Sequence, residues 1–207
     1  MYELFGAPRA GSAAIEIALE YCGVDYRVIN TEHDQDALLR VNPLGQLPTL
    51  VLPDRQVLTE SAAILIHLGL AFPASGLLDR VPEARAQQLR SLIYLVTNCY
   101  AAIGIIDYPE RWLSADDAAL AKQVVAGAKA RLYQQWSVFS HTFGTQPGWQ
   151  PHKPGAPEIL ASVISRWAGA REHLRAAVPE FHHGLTLIDE HAFVRAVCDR
   201  HWPVSDS

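Results

Sequence analysis

The chain has 207 residues, a net charge of −5 and an apolar fraction of 49%. At roughly 100–200 residues per domain this makes one large domain or two small ones, and the composition excludes disordered, collagen-like and coiled-coil classes. An acidic chain with no block of Lys and Arg has no footprint for a phosphate backbone, so nucleic acid is not an expected partner. The chain opens Met1-Tyr2-Glu3-Leu4 with no basic segment before an apolar run, and no stretch approaches roughly 18 uninterrupted apolar residues, so the expectation is a soluble, unexported protein without membrane contact. Cys22, Cys99 and Cys198 are an odd, widely spaced set that forms neither a disulfide framework nor a paired zinc-ligand set, which fits a reducing cytoplasm.

In chain order, residues 2–5 read as a short strand and 6–11 as a turn. Ala14, Ile15, Ala18, Leu19 and Cys22 then recur at helical spacing until Gly23 stops them. A second strand covers 26–29, a short helix 36–41, a third strand 48–52 and a fourth 56–58, with a turn at 53–55; residues 61–70 read as helix. The order β-α-β-α-β-β-α implies a parallel right-handed crossover followed by an antiparallel hairpin. A stretch at 71–82 with two prolines, a glycine and a serine is the expected linker. Beyond it the pattern is helical. Leu89, Leu92, Ile93, Val96, Tyr100 and Ile103 form one stripe, 118–143 is a long amphipathic segment, 144–157 is a loop with four prolines and three glycines, and 159–167 and 192–198 are further helices. The charge supports the division, since residues 1–72 carry four Arg, no Lys and nine acids. The expected plan is an α/β domain at 1–72 and an all-α domain at 82–207.

Two segments carry a family resemblance: Asn42-Pro43-Leu44-Gly45-Gln46-Leu47-Pro48-Thr49-Leu50, and Leu58-Thr59-Glu60-Ser61-Ala62-Ala63-Ile64 followed by Leu68. At this spacing after a β-α-β start they resemble the cytosolic glutathione S-transferases, bacterial type, without a close match to one class. The resemblance implies a thioredoxin-like domain that holds glutathione, a C-terminal helical bundle that holds an electrophile, and a homodimer. It implies a cis Leu47-Pro48 bond, against the ordinary expectation of trans, turning the Leu47 backbone toward the cysteinyl part of glutathione, with Gln46 beside it. Glu60 and Ser61 stand at a helix start, where free N–H groups and the dipole favour an anion. Ser61 would bind the γ-glutamyl carboxylate and Glu60 the ammonium; as ordinary helix-end residues they would serve only as a cap and a dipole-matched acid.

Transfer needs glutathione as thiolate. With a free pKa near cysteine's ~8.5, only about 3% is ionised at pH 7, and lowering it by ~2 units requires about 2.7 kcal/mol. The family usually supplies a Tyr, Ser or Cys after the first strand; here Arg9 and Gly11 occupy the usual Ser or Cys positions, and Tyr2 stands too early. Arg9 is therefore the first candidate, a permanent charge rich in donors, with Ser12 as the nearby hydroxyl. A solvent-facing loop arginine and a helix-capping serine are the plainer alternatives. Cys22, on the apolar stripe, reads as core. No Lys stands near His33, so His33 and Arg40 are the only substitutes for the base that holds the glycine carboxylate in many relatives. Gly155 to Glu158 replaces the hydroxyl-led helix start common in the family, leaving Glu158 as its acid.

Tyr94 and Asn98, one helical turn apart, are placed at the interdomain cleft as substrate contacts, with Tyr108 and Trp112 beyond; core packing is the alternative for each. His182-His183 are adjacent and have no ligand set around them, so no metal is expected. Asp116-Asp117 reads as a helix start. The expected function is attack of glutathione sulfur on a small hydrophobic electrophile or a peroxide, with no cofactor beyond glutathione. The alternative is a non-catalytic member of the fold acting in protein interaction. A disulfide reductase is disfavoured because no Cys heads the first helix.

Overall fold

The computed structural model describes residues 1–115 and 117–203. Strands β1 (Tyr2–Gly6), β2 (Tyr26–Asn30), β3 (Thr49–Val51) and β4 (Val57–Thr59) form one sheet in the order β2-β1-β3-β4. β1 and β2 run parallel, while β3 is antiparallel to both β1 and β4. Strand alternation sorts the side chains between two faces. Leu4 and Leu50 pack with helices α1 (Ser12–Cys22) and α3 (Ser61–Ala71), whereas Phe5 and Val51 pack with Leu38 of α2 (Gln35–Val41) on the opposite face. This is the thioredoxin-like βαβαββα arrangement expected from the sequence.

The helical part begins with α4 (Pro82–Tyr94), passes through a π-helical stretch, Leu95–Tyr100, and continues as α5 (Ala101–Asp107). The run Pro82–Asp107 is long and apolar enough to cross a membrane, with a mean hydropathy of 1.5 over its most apolar 18 residues. In this fold one face of the run, Leu92, Leu95, Cys99, Ala102 and Ile103, is buried within the bundle, while Ile93, Thr97, Ala101 and Gly104 stay exposed. Helices α6 (Ala118–Thr142), α7 (Ala156–Ile164), α8 (Ala170–Ala177), α9 (Pro179–Glu190) and α10 (Ala192–His201) complete it. Asp117 caps α6, accepting from the Ala119 and Leu120 N–H groups at 2.8 and 3.1 Å; Asp116 lies outside the described residues. The sequence pattern missed α8 and α9, whose starts carry no capping side chain.

Every residue of α7 is buried. The Glu158 carboxylate accepts from the Gln150 and Gly155 N–H groups at 3.0 and 3.1 Å, and burial pushes its pKa up. The missing hydroxyl before α7 has a steric cause. The Leu77 carbonyl accepts from Ala156 N–H at 2.8 Å, and a Cβ at Gly155 would stand 2.9 Å from that oxygen. One apolar core runs from the sheet through α1 into α7, α9 and α10.

Candidate functional site

Strand register gathers the candidate residues. Gly6 pairs with Asn30, Phe5 with Thr49, and Thr49 with Thr59. Continuing the antiparallel pairs by one residue sets Pro48 beside Gly6 and Glu60 beside Pro48. Asn30, Gly6, Pro48 and Glu60 thus form a rank at the end of the sheet where β1 and β2 present their carboxyl ends, the position at which open α/β sheets bind ligands. The loops leaving that rank hold Arg9 to Ser12, Gln46 and Leu47, and the Glu60-Ser61 start of α3.

The Leu47-Pro48 bond is cis. The loop before it is fastened from within: Asn42 Nδ2 donates to the Gln46 carbonyl at 3.0 Å and to Thr49 Oγ1 at 2.9 Å, and Thr49 Oγ1 donates to the same carbonyl at 2.9 Å. Among the described residues the Leu47 backbone N–H and C=O have no hydrogen-bond partner, so a donor and an acceptor face outward. Arg9 and Glu60 are exposed, and their backbones take the left-handed region at φ 59° and 64°. Among the described residues the side chains of Arg9, Gln46, Glu60 and Ser61 form no hydrogen bond or ion pair. An exposed cation and an exposed acid, a half-buried unpaired peptide edge at Leu47 and the buried Ser61 hydroxyl, 4% exposed and without a partner among the described residues, therefore stand around one rank.

Other expected site residues are occupied elsewhere. The Ser12 hydroxyl is 1% exposed and folds back on Ala7, accepting from its N–H at 3.4 Å and donating to its carbonyl at 3.5 Å. Ser12 is the first residue of α1 and does not cap it. Tyr94 points into the helical bundle, its ring against Phe139 and Phe143 and its hydroxyl 2.5 Å from the Gln135 side-chain amide. Asn98 donates to the Tyr94 carbonyl at 3.2 Å within its own helix. His33 and Arg40 are exposed on the β2–α2 flank. Tyr108 is exposed beneath the Arg111 guanidinium, 4.0 Å from its ring centre, and Trp112 is exposed beside it. Cys22 is half-buried against the core, and that burial pushes its thiol up to about 11.

Tyr100 was read from the sequence only as part of an apolar stripe. It ends the π-helical stretch, and its ring stacks on Trp167 with centroids 5.6 Å apart. Its hydroxyl lies over Gly11, so closely that a Cβ on Gly11 would collide with it. A separate cavity of about 370 Å³ lies between residues 73–80 and 148–155; none of the rank's loops lines it.

The fold and the open rank define a thioredoxin-like domain joined to a helical domain. Residues 12–70 match the family described as Glutathione S-transferase, N-terminal domain. The chain is 31% identical over 163 residues to the uncharacterized GST-like protein YncG of Escherichia coli (strain K12), covering 70% of this chain and 75% of that protein. It is 29% identical over 144 residues to the glutathione S-transferase GstA of Escherichia coli O157:H7, covering 65% and 72%. A solved glutathione transferase homologue from Sulfitobacter, with bound glutathione, superposes with a TM-score of 0.82 at 23% identity over 97% of this chain and 98% of that one. The chain belongs to the glutathione S-transferase family.

Proposed function

We propose that the protein is a glutathione transferase, with residues 1–72 holding the tripeptide and residues 82–207 completing a pocket for a small hydrophobic electrophile. The observation that carries this reading is the unpaired Leu47 N–H and C=O beside the Glu60-Ser61 start of α3. A peptide ligand can bond Leu47 as an added strand bonds a sheet edge, and its α-carboxylate and ammonium then meet Ser61 and Glu60. Gln46 donates to the same carboxylate, and Pro48 holds the turn. His33 and Arg40 are the cations offered to the glycyl carboxylate.

Arg9 stands free to stabilise the sulfur. The thiol proton leaves to solvent, and the sulfur pair forms the C–S bond while the leaving group departs with the electrons of the broken bond. With a peroxide, the thiolate attacks the hydroxyl-bearing oxygen, the alkoxide departs with the O–O bonding pair and takes a proton from water, and a second glutathione converts the resulting sulfenic acid to a disulfide with loss of water. Ser12, folded onto Ala7, is not free for this task unless the turn at 7–11 rearranges. That occupied hydroxyl favours the second reading, a member of the fold that binds a partner protein without catalysis. The cytoplasm, where glutathione keeps thiols reduced, is the compartment this chemistry suits.

The discriminating experiment is conjugation of glutathione to an activated aryl halide. The wild type should turn over, and Arg9→Ala should lower kcat at least about tenfold, ~1.4 kcal/mol in the barrier, with glutathione affinity nearly unchanged. Equal rates would reject Arg9, and binding without turnover would favour the second reading. The working unit in this reading is a homodimer. Ile93, 49% exposed, and the exposed small residues Thr97, Ala101 and Gly104 follow one another along the helical run that begins with α4. Sedimentation should give twice the 22.8 kDa chain mass, and Ile93→Arg should halve it; a monomeric wild type would reject the assembly.

A further inference from the structure

We propose that Tyr100, supplied by the helical domain, donates its hydroxyl hydrogen bond to the glutathione sulfur over the head of α1, and so shares the thiolate with Arg9. This inference rests on the glutathione reading given above. Three independent features converge on the residue. Its hydroxyl closes on Gly11, where a Cβ would collide with that oxygen and stand 3.1 Å from Cζ, so the close approach requires glycine at this position. Among the described residues the hydroxyl has no hydrogen-bond partner, although its ring is fixed by the stack on Trp167 at an interplanar angle of 29°. Tyr100 also ends a π-helical stretch, and such turns are rare and frequently stand at functional sites.

The chemistry suits a donor that keeps its proton. Burial, together with the charges of Asp107 and Glu60 and the nearby Tyr108 hydroxyl, pushes the Tyr100 pKa up to about 12. These titratable groups face it from α5, the turn after α5 and the start of α3, while Arg9 stands two residues before Gly11. When the S–H bond of glutathione breaks, the proton goes to water and Tyr100 remains neutral. Its O–H then bonds the thiolate more strongly than the thiol, which favours the charged form and lowers the sulfur's pKa.

The test follows the ultraviolet absorbance of bound glutathione thiolate against pH, alongside the conjugation rate, in wild type and Tyr100→Phe. The phenylalanine ring keeps the stack on Trp167 and loses only the donor. The expected result is a rise of about one unit in the apparent pKa of the bound thiol and a rate at pH 7 about tenfold lower. The two rates should converge at alkaline pH, with glutathione affinity changed by less than about twofold. Gly11→Ala, which displaces the hydroxyl without removing it, should move the thiol pKa the same way, and the double variant should lose little more than either alone. If Tyr100→Phe does not fold, Gly11→Ala carries the test. An unchanged thiol titration in a protein that binds glutathione would overturn the role of Tyr100 alone. Absence of glutathione binding in the wild type would overturn the underlying reading and this inference with it.

Discussion

Arg9 and Glu60 hold left-handed backbone at φ 59° and 64°, a conformation that costs a non-glycine residue on the order of 1–3 kcal/mol. Both stand in loops leaving the same end of the sheet, and both keep exposed charges without a partner among the described residues. Strain held where nothing internal rewards it is expected at a site that a ligand completes. Glu60→Gly separates the two roles. Removing the strain should leave stability to urea unchanged or raise it by up to about 1 kcal/mol after the entropic cost of glycine, while glutathione affinity falls about tenfold through loss of the ammonium's partner. A loss of stability larger than about 1 kcal/mol would make Glu60 a structural residue instead. The Glu-Ser pair was legible in the sequence; its backbone conformation was not, because no local residue type demands it. Ser12 was a nearby hydroxyl in the sequence, and only the folded turn reveals that Ala7 already engages it.

At the level of elements, α1 is fastened to α10 by Glu16, which is 5% exposed. Its carboxylate accepts from Arg200 at 2.6 and 3.0 Å and lies 2.8 Å from His201 Nε2. Burial alone would raise the Glu16 pKa, but the hydrogen bonds from His201 and Arg200 outweigh it and hold the group below the usual glutamate range. The sign of the linkage follows. The unfolded chain takes up this proton first as pH falls, so the stabilisation is fully present above the ordinary glutamate pKa and is lost as pH drops through the lower native value. Glu16→Gln should therefore cost about 2 kcal/mol at pH 7, less than a fully enclosed pair because Arg200 is half exposed. The deficit should shrink on acidification, as read from urea melts at several pH values, and a constant deficit would contradict the assignment. Since Gly11 immediately precedes α1, this clasp also holds the helix that follows the Arg9–Gly11 turn.

Helices α1 and α6 were readable from their apolar spacing, and α3 from an almost wholly apolar run after Thr59-Glu60-Ser61. The π-helical stretch was not, because one added residue per turn breaks the 3.6-residue period on which the reading depends. That is why Tyr100 was assigned only to an apolar stripe; Tyr94, which precedes the stretch, packs on Phe139 and Phe143 of the bundle, a contact with residues more than forty positions away that gives no local signal. Helices α8 and α9 were missed for a different reason. Their anchor is a non-local network in which Asp189 accepts from Ser162 Oγ at 2.6 Å and from Arg171 at 2.7 Å and pairs with Arg166 at 2.9 Å. Residues so far apart in the chain give no local signal.

Across the whole molecule, the sheet and the bundle share one core through α1, α7 and α10, so the open rank lies at a seam both parts help to shape. In the proposed site the first part supplies Arg9, the Leu47 backbone and the Glu60-Ser61 helix start, and the second supplies Tyr100. The resemblance in residues 42–50 and 58–68 made the order of elements and the candidate loops legible, while the approach of Tyr100 to Gly11 depended on packing that no motif records. The most direct measurement is a crystal structure of the protein grown with millimolar glutathione. The tripeptide should lie along Leu47 with its γ-glutamyl carboxylate at Ser61 and its sulfur between Arg9 and the Tyr100 hydroxyl. A vacant rank at that concentration, or glutathione bound only in the cavity beside residues 73–80, would contradict it.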